Sequence, residues 1–194
     1  MEIKLAIGLG NPGPEYENTY HNVGQLFIDE MAGLPVEAGK AKTGEAAFKK
    51  EKYFEYIKRR EVILVKTLSF MNRSGRAVTV AKRYFDSEPG KILVIHDDSD
   101  IPLGSFKLSF ARGSAGHQGI ESIIKSLRTN KFYRLRIGIR PPREMRRTKA
   151  NDLVLKRIPQ REIKILKDLF LEIGLQYLKM DGKAHLAAGL RLNP

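Results

Sequence analysis

The run Ile92-Leu93-Val94-Ile95 sets the tightest limit on what this chain can fold into. Successive side chains of a strand point to opposite faces, so four consecutive apolar residues need cover on both sides. Such a strand belongs inside a sheet with helices above and below it. The rest of the sequence supplies those elements in alternation. Ile3 to Leu9 is a second apolar run, closed by the turn Gly10-Asn11-Pro12-Gly13, after which Val23, Phe27, Ile28 and Met31 recur at helical spacing. Phe54 to Lys58 and Val62 to Lys66 flank Arg59-Arg60-Glu61 as a hairpin, and Val78, Ala81 and Phe85 mark the next helix. Ser105 to Phe110 alternates as a strand, Ile120, Ile123, Ile124 and Leu127 mark a helix, and Leu135 to Ile139 gives another strand. Ile163, Leu166, Phe170, Ile173 and Tyr177 form the apolar stripe of a last helix. The expectation is an α/β fold in which residues 1–194 form one domain, a three-layer sandwich with a twisted, mixed, largely parallel sheet and helices on both faces.

A chain of 194 residues can bury roughly 70% of its unfolded surface without disulfides or metals. It has no cysteine, which excludes thiol nucleophiles and thiolate metal sites and suits a reducing compartment. No apolar stretch approaches the ~18 residues of a membrane span, and Met1-Glu-Ile-Lys4 leads into a strand without a signal core. No membrane association and a cytoplasmic location are therefore expected. The formal charge of +13, with a dense basic stretch from Arg140 to Lys149, points to a polyanionic partner.

Gly8-x-Gly10-x-x-Gly13 has the spacing of a dinucleotide-binding turn and follows a strand. In that fold the turn opens directly into a helix, whereas here Pro12 lacks an N–H and Glu15 to Tyr20 intervene, so a substrate loop carrying Asn11 is favoured. Among the four histidines, His21 stands between this turn and an amphipathic helix, and Asp97 stands at the end of the buried strand. A carboxylate bonded to one imidazole nitrogen fixes the tautomer, so the other nitrogen can take a proton from water. His96-Asp97-Asp98-Ser99-Asp100 lacks the glycine and distal Glu of a calcium loop, so a metal is not expected at this cluster. With no G-x-S-x-G elbow and no cysteine, water is the attacking group. Phe70 to Gly75 and Gly113 to Gly119 are helix entrances able to hold an oxyanion, a peptide carbonyl or a ligand approached by backbone.

Five blocks, Gly8-Leu-Gly-Asn11-Pro-Gly13-x-x-Tyr16, His21-Asn22-x-Gly24, Phe70-Met-Asn72-x-Ser-Gly75, His96-Asp97-Asp98-x-Asp100 and Gly113-Ser-Ala-Gly-His117, together resemble the bacterial peptidyl-tRNA hydrolase family. The resemblance spans nearly the whole chain. It implies a monomeric enzyme without metal or cofactor that hydrolyses the ester between a peptide, or an N-blocked amino acid, and the 3′ end of tRNA. It implies that His21 is the general base and Asp97 its orienting carboxylate. Asn11 and Asn72 would bind the peptide or the ester, with Tyr16, Asn22 and Met71 shaping the cleft. His117 and Gln118 would contact substrate, and Arg136 and Lys149 would lie near the tRNA acceptor stem. Two positions depart from the family pattern: Gln118 stands where Asn is usual, and Ser109 where a basic residue is common. An RNA-binding protein with a weakened active site is the competing expectation, and a dinucleotide-binding enzyme a further one.

Overall fold

The structure, a computed structural model, describes residues 2–34, 47–59, 62–140 and 153–174. Seven strands build one sheet: β1 (Leu5–Gly8), β2 (Lys49–Lys50), β3 (Phe54–Arg59), β4 (Val62–Thr67), β5 (Ile92–Pro102), β6 (Phe106–Phe110) and β7 (Tyr133–Arg140). Their order is β2-β3-β4-β1-β5-β7-β6. The central pairs β4/β1, β1/β5 and β5/β7 are parallel, and the flanking pairs β2/β3, β3/β4 and β6/β7 are antiparallel. Helices α1 (Val23–Gly33) and α4 (Gln160–Glu172) cover one face, where Leu93 and Ile95 pack with Phe27, Ile28, Leu166 and Phe170. Helices α2 (Ser74–Tyr84) and α3 (Gln118–Leu127) cover the other, where Ile92 and Val94 pack with Val78, Ala81, Ile120 and Ile123. The strand Ile92 to Ile95 is thus fully buried and supplies both cores, as its unbroken apolar run requires.

One feature differs from the sequence expectation. The strand begun at Ile92 does not end at His96 but runs to Pro102, because β7 continues to pair with it as far as Asp98↔Gly138 before a register shift. Its neighbour β1 stops at Gly8, opposite Ile95, so His96 and Asp97 lie inside a strand but just past the carboxyl end of the adjacent one. That step in the sheet is where open α/β sheets place their ligands. The last helix is described to Glu172, and Tyr177 lies outside the described residues, as does the basic stretch beyond Arg140. The turn at Gly13, which has φ +114°, is followed by a helix only at Val23, behind a 3₁₀ turn at Tyr20–Asn22. Among the described residues the glycine turn thus does not open directly into a helix, as a dinucleotide site requires.

Glycines bring the first helix onto the sheet at this point. A Cβ on Gly24 would overlap the carbonyl oxygen of Ile95, and one on Gly8 would overlap that of Gly24. Backbone rather than side chain occupies that space, so Gly24→Ala is expected to push α1 outward at a cost of roughly 1–3 kcal/mol. Because His21 enters just ahead of α1, the variant should lose turnover as well as melting temperature; a variant with both intact would show that the helix approach is not needed.

Candidate active site

Three segments meet at the step in the sheet: the 3₁₀ turn Tyr20–Asn22, the distal half of β5, and the loop entering α3. They bound a cleft of about 820 Å³ lined by Asn11, His21, Met71, Asn72, Asp97, His117 and Gln118, with Phe70 and Leu155 also on its walls. Asp97 is buried, and its Oδ1 lies 2.9 Å from His21 Nδ1 and 3.0 Å from His117 Nε2. Burial alone would raise this carboxyl group. The electrostatic pull and hydrogen bond of His117, with the hydrogen bond and electrostatic pull of His21, outweigh it and hold the acid well below the ordinary carboxylate range.

An ionised carboxylate only accepts, so both imidazoles donate to it. His117 has no alternative, because its Nδ1 accepts from the backbone N–H groups of Gly119 (3.1 Å) and Ile120 (3.4 Å) as the N-cap of α3. His21 donates through Nδ1–H, which leaves its Nε2 with a free lone pair on a residue that lines the cleft. The sequence had paired His21 with Asp97; the second partner, His117, was expected only to contact substrate. Its loop reads as a flexible glycine connection, and a histidine N-cap has no common sequence signature.

The same geometry tests the site as a metal centre. One ligand atom each from His21, Asp97 and His117 falls within 4.8 Å of the others, whereas the sequence cluster His96 to Asp100 does not converge. A cation on His117 Nε2 would force the ring proton to Nδ1, against two backbone donors. The donor set therefore does not fit a metal.

His96 does not line the cleft and is buried. Its Nδ1–H donates to the backbone oxygen of Asp97 at 2.7 Å, its ring packs edge-on to His117 at 4.6 Å, and its Nε2 has no partner among the described residues. Burial and the neighbouring His117 push its pKa well below the ordinary value, against the pull of Asp97. The unfolded chain protonates this residue near pH 6.5 and the native protein does not, so stability falls as pH drops below that value, by up to ~1.4 kcal/mol per pH unit. His96→Phe is expected to flatten the fall in denaturation midpoint between pH 7 and 5. An unchanged slope would assign it to other groups.

Two asparagines brace the glycine turn. Asn22 Oδ1 accepts from the Asn11 N–H at 2.8 Å and its Nδ2 donates to the Asn11 carbonyl at 2.9 Å, so both ends of this amide are spent on backbone. Asn22 is not among the residues that line the cleft and reaches it through Asn11, which is one of them. Asn11 Oδ1 in turn accepts from the Met71 N–H at 2.7 Å, leaving the Asn11 amide NH₂ as its remaining group. Asn72 and Gln118 are exposed on the cleft wall and Met71 is buried beneath it. Tyr16 is not a lining residue; it packs edge-on against Phe70, 6.1 Å between centroids. Arg136 donates from Nε to Asp98 Oδ2 at 2.7 Å, which anchors it beside the cleft, and its terminal guanidinium nitrogens make no hydrogen bond among the described residues. Lys149 lies outside the described residues.

An imidazole that lines a cleft and is hydrogen-bonded to a buried carboxylate, at the carboxyl end of a largely parallel sheet, is an arrangement suited to an enzyme that uses general-base chemistry. The family model for peptidyl-tRNA hydrolase matches residues 5–187. The chain belongs to that family and is a hydrolase of peptidyl-tRNA. It is 45% identical over 144 residues to the peptidyl-tRNA hydrolase of Aquifex aeolicus (strain VF5), covering 74% of this chain and 73% of the relative. With that of Teredinibacter turnerae it shares 38% over 172 residues, covering 86% and 84%. The crystal structure of peptidyl-tRNA hydrolase from Acinetobacter baumannii superposes with a TM-score of 0.74 at 29% identity, over 90% of this chain and 86% of that one.

Proposed function

We propose that His21 is the general base that activates water for attack on the ester joining the peptide, or an N-blocked amino acid, to the 3′ end of tRNA. The observation that carries this reading is the double donation to Asp97, which leaves His21 Nε2 as a proton acceptor in the cleft. Nε2 takes a proton from water as its oxygen bonds to the ester carbonyl carbon. The tetrahedral species then collapses, the carbon–oxygen bond to the ribose breaks, and the imidazolium returns the proton to the leaving ribose oxygen. Asp97 stays ionised throughout and stabilises the imidazolium.

Asn11 acts as a donor. Its oxygen is committed to Met71, so its NH₂ group pairs with a carbonyl oxygen of the substrate, and Asn72 and Gln118 supply further amides on the cleft lining. Discrimination against unblocked aminoacyl-tRNA follows if these amides need a peptide bond as partner, because a free amine leaves them unpaired. Arg136 and Lys149 contact phosphates of the acceptor stem, the polyanionic partner that the +13 charge of the chain calls for. Tyr16 acts through Phe70, and Asn22 through Asn11. The same reading makes the protein a cytoplasmic monomer that frees tRNA dropped from stalled ribosomes. Support for the compartment is the absence of cysteine from the sequence, together with the absence, among the described residues, of a helix able to cross a membrane.

The test is release of N-acetyl-amino acid from charged tRNA by the purified protein, with unblocked aminoacyl-tRNA alongside. Rapid release from the blocked substrate alone is expected. Equal release from both would remove the role given to the amides.

A further inference from the structure

The three residues of the turn Tyr20–Asn22 point to three different anchors. His21 reaches Asp97 and Asn22 reaches Asn11, as described above. Tyr20 turns to the opposite side and donates its hydroxyl to Glu162 Oε2 at 2.5 Å, across 142 positions of sequence. Both members of this pair are only 4% exposed. Burial, then the hydrogen bond and charge of Glu162, raise the Tyr20 pKa, so the phenol stays the donor and the carboxylate the acceptor. Glu162 lies in the first turn of α4, where the helix N-terminus favours a negative group, and Arg161 stands 3.9 Å from its other oxygen.

The backbone reinforces the same contact. Tyr20 N–H donates to the Lys156 carbonyl at 3.2 Å, Thr19 bridges Arg157, and Ile158 N–H donates to the Asn18 carbonyl at 2.8 Å. The segment so attached carries Val154 and Leu155, which form part of the cleft wall. Neither Tyr20 nor Glu162 lines the cleft itself.

We infer that the Tyr20–Glu162 hydrogen bond is a positioning device: it ties α4 and the cleft wall at Val154–Leu155 to the turn that carries His21, and so holds the imidazole in register with the ester. The pair touches no reacting atom and acts through its neighbours. A general base must stay within hydrogen-bond reach of its water, and misplacement by about 1 Å can cost on the order of 10²-fold in rate. Removing the phenol hydroxyl also strands a buried carboxylate, which would draw solvent or Arg161 inward and shift the first turn of α4.

This inference rests on His21 being the base, and His21→Ala, assayed in parallel, reports on that reading separately. The experiment compares Tyr20→Phe, Glu162→Ala, their double variant and Glu162→Gln in the full chain, by steady-state hydrolysis of N-acetyl-aminoacyl-tRNA well below each melting temperature. Tyr20→Phe and Glu162→Ala are expected to lower kcat by about tenfold or more while KM changes less than about threefold. The double variant should be no slower than the slower single one, since both remove one bond. Glu162→Gln keeps an acceptor oxygen for the hydroxyl and should recover most of kcat. Folded Tyr20→Phe and Glu162→Ala with unchanged kcat would overturn the proposal. So would losses that multiply in the double variant, or losses that vanish once rates are normalised to the folded fraction. If His21→Ala alone retains activity, it is the base assignment that fails.

Discussion

Replacing His21 with alanine is expected to lower kcat for N-acetyl-aminoacyl-tRNA by ~10²–10⁴-fold, the usual contribution of a positioned general base. KM and tRNA affinity should change little, because His21 is one residue of a wide cleft and carries no part of the basic surface. The small volume lost sits at a partly exposed position, so the melting temperature should move by a few degrees at most. Residual turnover would come from the amides and backbone donors that remain. Steady-state kinetics with a direct tRNA-binding titration separates these effects, and a His21→Ala enzyme within tenfold of wild type would remove the imidazole from the mechanism.

Asp97→Asn is the second large effect, and its size follows from an oxygen shared between two histidines. Asp97 Oδ1 receives both N–H groups, and asparagine retains an oxygen that can accept both. The tautomers should survive while the negative charge beside the developing imidazolium is lost. A fall in kcat of about 10²-fold is expected, arising from charge stabilisation alone. Asp97→Ala, which also releases both rings, should fall further. Wild-type turnover by Asp97→Asn would mean that the carboxylate only orients its partners. Stability offers a second readout. The native Asp97 carboxyl titrates below its unfolded value of about 3.9, so its contribution is complete above about pH 5 and is lost as pH falls through the unfolded value toward the native one. The gap in denaturation midpoint between wild type and Asp97→Asn should therefore be widest at neutral pH and narrow in acid.

Much of this arrangement is legible in the chain because it rests on local pattern. Apolar residues at spacing two, or at three and four, must be buried on one face, and an unbroken run must be buried on two, so the alternation of strands and helices and the two cores around Ile92 to Ile95 follow from sequence. The pairing of His21 with Asp97 is legible for a related reason: each stands where the apolar period of an element begins or breaks off. The strand through Asp97 is longer than its apolar run suggests, since Asp98, Ser99 and Asp100 do not look like strand residues. Pairing with β7 extends it, and a strand's own sequence does not contain its neighbour.

The partners of polar atoms lie furthest from what the sequence can decide. That Asn22 is consumed by Asn11, that Asn11 is half consumed by Met71, that His117 rather than solvent completes Asp97, and that Tyr20 reaches Glu162 are contacts across 11, 60, 20 and 142 positions. By itself the sequence determined the layers, the basic character and the residue types at the site. Which nitrogen of His21 remains free, and what holds it there, was decided only by the tertiary structure. Burial preference is a property of each side chain and its period along the chain, whereas a hydrogen bond exists only when two atoms arrive within about 3 Å in the right direction.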